Sequence, residues 1–585
     1  MPPPTVETVT ADLLILGSGG AGLFAALHAY NANPRASILI TVKGLVGKSG
    51  CTRMVQGGYN AVLHPNDSLE QHFRDTIEGG AYLNDQELAW TLINTAPERV
   101  RELENRMGCF FDRNPDGTIH QKAFAGQSFD RTVHRGDLTG IEIMARLMEQ
   151  VFRHNIPTLE DHRAIELLPA TDRSGVAGAL LVDTRRGTFL VVRAKATLLA
   201  TGAGPTMYKI MAPSAEKTTD GLAMAYRAGA RLMDMEMVQF HPTGLLVGDS
   251  GMSGTVLEEG LRGVGGYLFN GRRERFMERY DPVRLERSTR DIVSRSAYLE
   301  IMAGRGSPHG GVYIDVSHLG ARFVEHNFPG MVERCRDVGF DLAREPVEVS
   351  PTAHYLMGGV RIDTACRSNV EGLFVAGEDS CGVHGANRLG GNGVACSTVF
   401  GGIAGDRMAS YIEGKSVPEV SEAQVRAAIA RVLAPFGRPG GEDVYPLRDE
   451  LKTLMWERAG LVRHASDLAA ARKGLAALRE RARHVRVGGA PRLNAEWQEW
   501  LDLDSLLTVS DLIVASALQR KESRGSHYRS DYPATDDSQY LRNVYVQRQD
   551  GDMRLWLEPV RFTRLQPPAP TAPAPEQAYL AQEGE

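Results

Sequence analysis

Cysteine is scarce: six in 585 residues, at positions 51, 109, 335, 366, 381 and 396, with no two at C-x-x-C spacing. That spacing carries zinc and iron–sulfur sites, so neither is expected within this chain. Six is also too few for a disulfide framework, and a reducing, cytoplasmic compartment is the simpler expectation. Long apolar runs are missing too; no window approaches about 18 uninterrupted apolar residues, which excludes a transmembrane helix. Met1-Pro2-Pro3-Pro4-Thr5 carries no basic stretch followed by an apolar run, so no signal peptide is expected. A basic excess is absent as well. The 66 Lys+Arg against 72 Asp+Glu leave a formal charge of −6, which argues against nucleic acid as a partner.

The composition is that of a globular protein, 42% hydrophobic and 24% charged. At roughly 100–200 residues per domain, the length allows about three to five domains. Glycine is raised, at 62 residues without a collagen-like period, as expected where backbones approach a ligand closely.

The first local signal is an apolar strand, Asp12-Leu13-Leu14-Ile15-Leu16, entering Gly17-Ser18-Gly19-Gly20-Ala21-Gly22 and an Ala/Leu-rich helix to Tyr30. A second strand follows at Ser37–Val42, completing the βαβ opening of a dinucleotide-binding domain. In Gly17-x-Gly19-x-x-Gly22 the first glycine turns the chain and the second admits a pyrophosphate. The third lets helix and strand pack, with the helix N-terminus facing the phosphates. The acidic ribose partner expected about twenty residues on is absent, since Thr41, Val42 and Lys43 stand there. That departure disfavours NAD and leaves FAD open if a hydroxyl or backbone group holds the ribose. Further strands at Ala196–Ala200 and Gly372–Ala376 also end at glycines, which places a ligand across their carboxyl ends. Between them, about 241–350 is rich in Arg and Gly and reads as an inserted domain. Beyond about 416, Leu468, Ala471, Leu475 and Leu478 form the apolar stripe of a packed helix. The expected division is 1–240 and 351–415 for a split FAD-binding domain, 241–350 for the insertion, 416–540 for a helical domain and 541–585 for an extension. The Pro/Ala-rich tail of that extension, from Gln566, is expected to be disordered.

An ordered set of blocks then carries a resemblance. These are Gln56-Gly57-Gly58-Tyr59-Asn60-Ala61, Leu199-Ala200-Thr201-Gly202, Gln239-Phe240-His241-Pro242-Thr243-Gly244 and Glu259-Gly260-Leu261-Arg262-Gly263. Arg290-Asp291, His354-Tyr355-Leu356-Met357-Gly358-Gly359, Ala376-Gly377-Glu378, His384 through Asn392 and Glu522 through Arg529 complete it. The chain resembles the flavoprotein subunit of succinate dehydrogenases and fumarate reductases, a superfamily that includes L-aspartate oxidase. The resemblance implies an α/β fold: a Rossmann-like FAD-binding domain, an inserted α+β capping domain that is mobile, and a C-terminal helical domain. Substrate is then expected between the FAD and capping domains, exchanging hydride with flavin N5. By the same resemblance, FAD would be held by Gly17, Gly19, Gly20, Ala21, Gly22, Lys43, Cys51, Thr52, Gln56, Gly57, Gly58, Ala200, Thr201, Gly202, Asp220, Glu378, Arg388 and Asn392. No metal site is implied.

Reducing a carbon–carbon double bond between carboxylates needs groups that grip the carboxylates, a hydride source and an acid for the other carbon. His241, His354 and Arg388 match the family's substrate clamp, Arg290 its proton donor, and Glu259 and Arg262 the relay behind it. Glu259 and Arg262 are three apart and share one side of a turn if that segment is helical.

Two departures matter. Cys51 stands at the position of the histidine that carries covalent FAD in respiratory members, in a loop one residue longer, so FAD is expected to be non-covalent. Glu258 replaces a threonine that helps hold a substrate carboxylate. Two like charges about 4 Å apart would cost roughly 1–4 kcal/mol. Glu258 is therefore expected to be protonated, to turn away, or to face an amine or neutral group of the substrate. Val264 replaces another acidic position of relatives. With no iron–sulfur cysteines of its own, the chain is expected to pass electrons to an iron–sulfur protein, to a soluble carrier or to oxygen, and to reach a membrane only through a partner. A stand-alone amino-acid oxidase like L-aspartate oxidase is the alternative.

Overall fold

The computed structural model describes residues 4–568 except 173 and 249. Residues 569–585, most of the Pro/Ala-rich tail, lie outside the described residues. A seven-stranded sheet forms the centre. Its first strand, Val6–Leu16, is longer than the apolar run alone suggests, because the exposed residues Val6–Thr10 still pair with Phe189–Arg193. It lies parallel to Ile38–Thr41 on one side and to Thr188–Leu199 on the other. The strand Leu373–Val375 returns beside Thr197–Leu199, also in parallel. Sequence-distant glycine loops, after Leu16, after Leu199 and after Val375, thus end at one edge of one sheet.

The helix Gly20–Ala32 follows the first strand and packs on the helix Asn392–Tyr411. Their contact is a glycine seam: a Cβ on Gly401 would sit 2.6 Å from the Ala21 carbonyl, and one on Gly405 2.3 Å from that of Ala25. Only hydrogen at those positions permits the approach, which aligns the two helices on one cavity.

A second hydrophobic core draws on residues from Leu245 to Val349, separate from the main one. It is built on an antiparallel sheet of Val238–Leu245, Val347–Leu356, Val312–Asp315 and Tyr267–Phe269, with the helix Arg290–Glu300 against it. Four long helices follow the FAD-binding part, Glu422–Leu433, Val444–Ala459, Ala465–Ala482 and Ala495–Gln519, with a one-turn helix, Asp537–Tyr540, after them. Leu468, Ala471, Leu475 and Leu478 are all buried. One element was not anticipated. Arg542–Gln549 and Asp552–Pro559 form a hairpin that adds to the short strand Leu232–Met233 and ties the C-terminal region back to the body.

Candidate active site

A continuous cavity of about 610 Å³ runs from the first glycine loop to the inserted domain. Gly17, at φ +113°, has its missing Cβ 2.2 Å from the Ala200 carbonyl, so the turn closes onto the neighbouring strand's end. Gly22 leaves room for the Gly17 carbonyl, 2.0 Å from its missing Cβ, and does not itself line the cavity. At Gly19 the nearest atom to an added Cβ is Thr52 Oγ1 at 3.6 Å, which leaves the backbone open to a ligand. Gly20 N–H donates to Thr52 Oγ1 (3.1 Å), while the N-cap residue of the thirteen-residue helix, Gly19, has no side chain to cap it. The helix Asn392–Tyr411, opened by Gly391 at φ +84°, also lacks a side-chain cap. Gly393, Val394 and Ser397 from it line the same space. Two long helices therefore aim their positive ends at one cavity, a setting for phosphate and for developing negative charge.

At one end lies a charge cluster. Lys43 Nζ is 2.6 Å from Asp502 and 3.4 Å from Asp220, while Arg163 contacts the same two carboxylates at 2.8 and 2.7 Å. Arg163 and Asp502 carry no local motif; they arrive from the sheet and the longest helix. A carboxylate does stand near the end of the second strand, but Glu216 supplies it, both oxygens lying 3.6 Å from the missing Cβ of Gly44. Midway, Lys217 is ion-paired with Glu378 beside Cys51. Burial pushes the Cys51 thiol up, so it stays protonated near neutral pH. Thr52, Gln56, Gly57, Gly58, Ala200, Thr201, Gly202, Ala21 and Glu378 all line the cavity. Asn392 does not: its amide is spent on Asn60 (2.8 Å), His72 (3.1 Å) and Thr76 (3.1 Å), so it braces the helix start instead.

The other end is crowded with cations. Glu259 accepts from Arg290 Nη2 (2.7 Å) and Nε (3.1 Å), and from Arg262 Nη2 (2.8 Å). Glu259 directly precedes the short helix Gly260–Gly263, so the three-residue spacing closes the pair. Arg262 lies behind the cavity wall, fully buried, donating to the Glu286 carbonyl at 2.6 Å. Burial pushes the Glu259 carboxyl up, but Arg290 and Arg262 outweigh it and hold it below the usual carboxylate range. Arg290 also donates to Gln239 Oε1 (3.1 Å). His241 and His354 face each other at 5.3 Å between ring centres, both held neutral by burial and the nearby guanidiniums. Arg388 stacks over Tyr355 at 4.4 Å, and among the described residues no carboxylate ion-pairs with it. Its Nε has no hydrogen-bond partner, and neither does His354 Nδ1. Burial and Arg290 bring the Arg388 guanidinium down to about 10, still charged at neutral pH.

Glu258 also lines the cavity, but its carboxylate is paired with Lys122 Nζ at 3.1 and 3.4 Å. Burial raises it and Lys122 opposes the rise. Lys122 and Lys217 carry no local signal, because each meets a carboxylate more than a hundred residues away, whereas Gln239 and Tyr355 stand within the family blocks.

The glycine cradle, the two helix starts with glycine at the N-cap and the unsatisfied buried cation suit a long anionic cofactor beside a small anion, and FAD fits those donors. The fold and site define an FAD-dependent oxidoreductase. Comparison with known families agrees: an FAD binding domain matches residues 12–394, and a fumarate reductase flavoprotein C-terminal domain matches 448–574. The chain belongs to the succinate dehydrogenase/fumarate reductase flavoprotein family. It is 42% identical over 548 residues to a fumarate reductase (CoM/CoB) chain of Methanothermobacter marburgensis, covering 93% of this chain and 98% of that one. A chloroplastic L-aspartate oxidase of Nicotiana tabacum is 35% identical over 568 residues, covering 91% and 83%. Among solved structures, an E. coli quinol fumarate reductase superposes with a TM-score of 0.91 at 34% identity, covering 96% of this chain and 99% of that one. No helix among the described residues is long and apolar enough to cross a membrane.

Proposed function

We propose that the chain interconverts a small dicarboxylate and its alkene, in the manner of fumarate and succinate. The observation that carries this reading is Arg388. It is a buried guanidinium without a carboxylate partner among the described residues, facing the same cavity as Arg290, His241 and His354. A substrate carboxylate would complete it, with two parallel hydrogen bonds available from the planar group. Bound non-covalently, FAD would supply hydride chemistry at this end of the cavity. The chain's own part is to clamp the carboxylates with Arg388, His354 and His241, and to hold a proton at Arg290 opposite. Glu259, kept anionic by two guanidiniums, can return that proton through Arg262, because a proton moving along the pair leaves its net charge unchanged.

The amino-acid oxidase reading is less supported. A substrate ammonium needs an available carboxylate, and those at this end are taken, Glu259 by two arginines and Glu258 by Lys122, as is Glu378 midway, by Lys217. The deciding assay offers purified holoprotein reduced dye with fumarate, and oxygen with aspartate. Dye oxidation with fumarate is expected; peroxide from aspartate, with no fumarate response, would overturn the reading.

For the electron partner, we infer an iron–sulfur protein docking at the cavity mouth, with any membrane contact made through that partner. Support comes from exposed apolar residues there: Met54 at 46%, Leu138 at 53% and Ile141 at 38%. They cluster because the helix Thr139–Arg153 begins against the Thr52–Met54 turn, with Gly140 N–H donating to the Val55 carbonyl at 2.8 Å. Leu138→Glu should then leave dye-linked turnover intact and slow electron exchange with the partner.

A further inference from the structure

The Lys122–Glu258 pair joins two separately built parts of the molecule. Lys122 sits on a short strand, Gln121–Lys122, paired through Thr132–Val133 to Tyr59–Asn60 beside the first glycine loops. Glu258 lies between Leu257 and Leu261, which belong to the second core. The two domains meet tightly here. A Cβ on Gly263 would stand 2.9 Å from the Ala123 carbonyl, and one on Gly330 2.3 Å from Asp137 Oδ2. The neighbouring hydrogen bonds across the seam join neutral groups, Gln56 Nε2 to the Val256 carbonyl (3.0 Å) and Gly126 N–H to the Arg287 carbonyl (3.2 Å); the other charges acting on Glu258 are Asp137, across the seam, and Arg334, in the inserted domain. The Glu258 side chain is 1% exposed and that of Lys122 16%. Lys122 is held further by the Gly136 carbonyl at 3.2 Å.

We propose that Lys122 and Glu258 form a charge clasp that closes the inserted domain over the substrate end of the cavity and neutralises the carboxylate there that no arginine holds. The clasp works only when the seam is shut. Apart, both charges are in water; together, they are buried, and each removes the other's cost. It also resolves how Glu258 can stand where an anion must bind: a dianionic substrate meets a neutral pair. Lys122 and Glu258 are therefore positioning residues. The kinetic arm of the test rests on the dicarboxylate reading above; the exchange arm does not.

Holoprotein is compared as wild type, Lys122→Met, Glu258→Gln and the double variant, with FAD content measured for each. Hydrogen exchange of residues 256–266 without substrate reads the seam, and KM against kcat for fumarate with reduced dye reads the site. Lys122→Met keeps the stem over Phe124 but strands a buried carboxylate. It should speed exchange at the seam about tenfold or more and raise KM by a similar factor, with kcat changed less than about threefold. Glu258→Gln should have a smaller effect on both, and adding it to Lys122→Met should recover most of the loss, which is the signature of a coupled pair. Unchanged seam exchange in Lys122→Met, or effects that simply add in the double variant, would overturn the clasp. Should wild type fail with fumarate, the functional reading falls while the exchange arm still decides this one. Should Lys122→Met fail to retain FAD, the reversed pair Lys122→Glu/Glu258→Lys decides: seam exchange near wild type supports the clasp, and an open seam refutes it.

Discussion

The two ends of the cavity are both crowded with buried charge, yet they are built on opposite principles. At one end Lys43 and Arg163 share Asp220 and Asp502, so each cation has a carboxylate within hydrogen-bond reach. At the other, Arg290 and Arg262 share the single carboxylate of Glu259, and Arg388 has none. A balanced cluster is a structural joint; it needs nothing further and ties the longest helix to the sheet. An unbalanced one is expensive to bury unless an anion arrives to complete it. Charge accounting thus separates scaffold from binding site without reference to any ligand.

The comparison breaks most visibly if the unbalanced end is altered at its acid. Arg290→Ala should keep FAD, because Arg290 lies away from the first glycine loop, but lose about 10²–10⁴-fold in kcat with fumarate. Near-normal turnover would remove Arg290 from the chemistry. Next in size, Arg388→Met should lower kcat/KM by about 10–100-fold, the loss of charge-assisted hydrogen bonds to a carboxylate. If Arg388 instead serves the fold, the same variant would unfold or lose FAD, and its thermal midpoint would show it. A buried unpaired cation should do the reverse: its neutral replacement should leave the midpoint unchanged or raise it.

The balanced end should respond in stability rather than in chemistry. Burial pushes the Asp502 carboxyl up, but Arg163 and Lys43 outweigh it and hold it down at about 2. A carboxyl at about 3.9 unfolded and depressed in the fold adds stability above roughly pH 4, worth on the order of 2–3 kcal/mol, which is lost as pH falls toward 2. Asp502→Asn should therefore melt several degrees lower at pH 7 and bind FAD more weakly, with its saturated kcat changed less than about twofold. Between pH 4 and pH 2 the gap to wild type should narrow, because protonation removes the same charge. A gap that stays constant with pH would show that Asp502 acts by packing.

Much of this architecture is legible in the residues alone. Gly17, Gly19 and Gly22 announce themselves because strand, turn and helix are contiguous, and Glu259 with Arg262 because three residues make one turn. Arg163, Lys217 and Lys122 do not, since nothing local distinguishes a cation whose carboxylate partner is distant in sequence. Asn392 looks like a cofactor contact from its place in a glycine-rich block, whereas its amide bonds Asn60, His72 and Thr76. The terminal hairpin has a local signal too: Asp550-Gly551 is a strong two-residue turn pair, between the apolar runs Val544–Val546 and Leu555–Leu557.

The smallest effect tests the region between the two ends. Cys51 lines the cavity beside the Lys217–Glu378 pair. Its thiol is kept protonated by burial, and the thiolate is the reactive form, so attack on a bound ring is disfavoured. Acid precipitation of wild type should leave the yellow colour in the supernatant, and Cys51→Ser should behave identically, with turnover changed by less than about twofold because a small group replaces a small group. Colour retained in the wild-type pellet and lost from that of the serine variant would make Cys51 a covalent anchor. The middle of the cavity would then hold its ligand by a bond, and the contrast between a balanced and an unbalanced end would no longer account for how the cofactor stays.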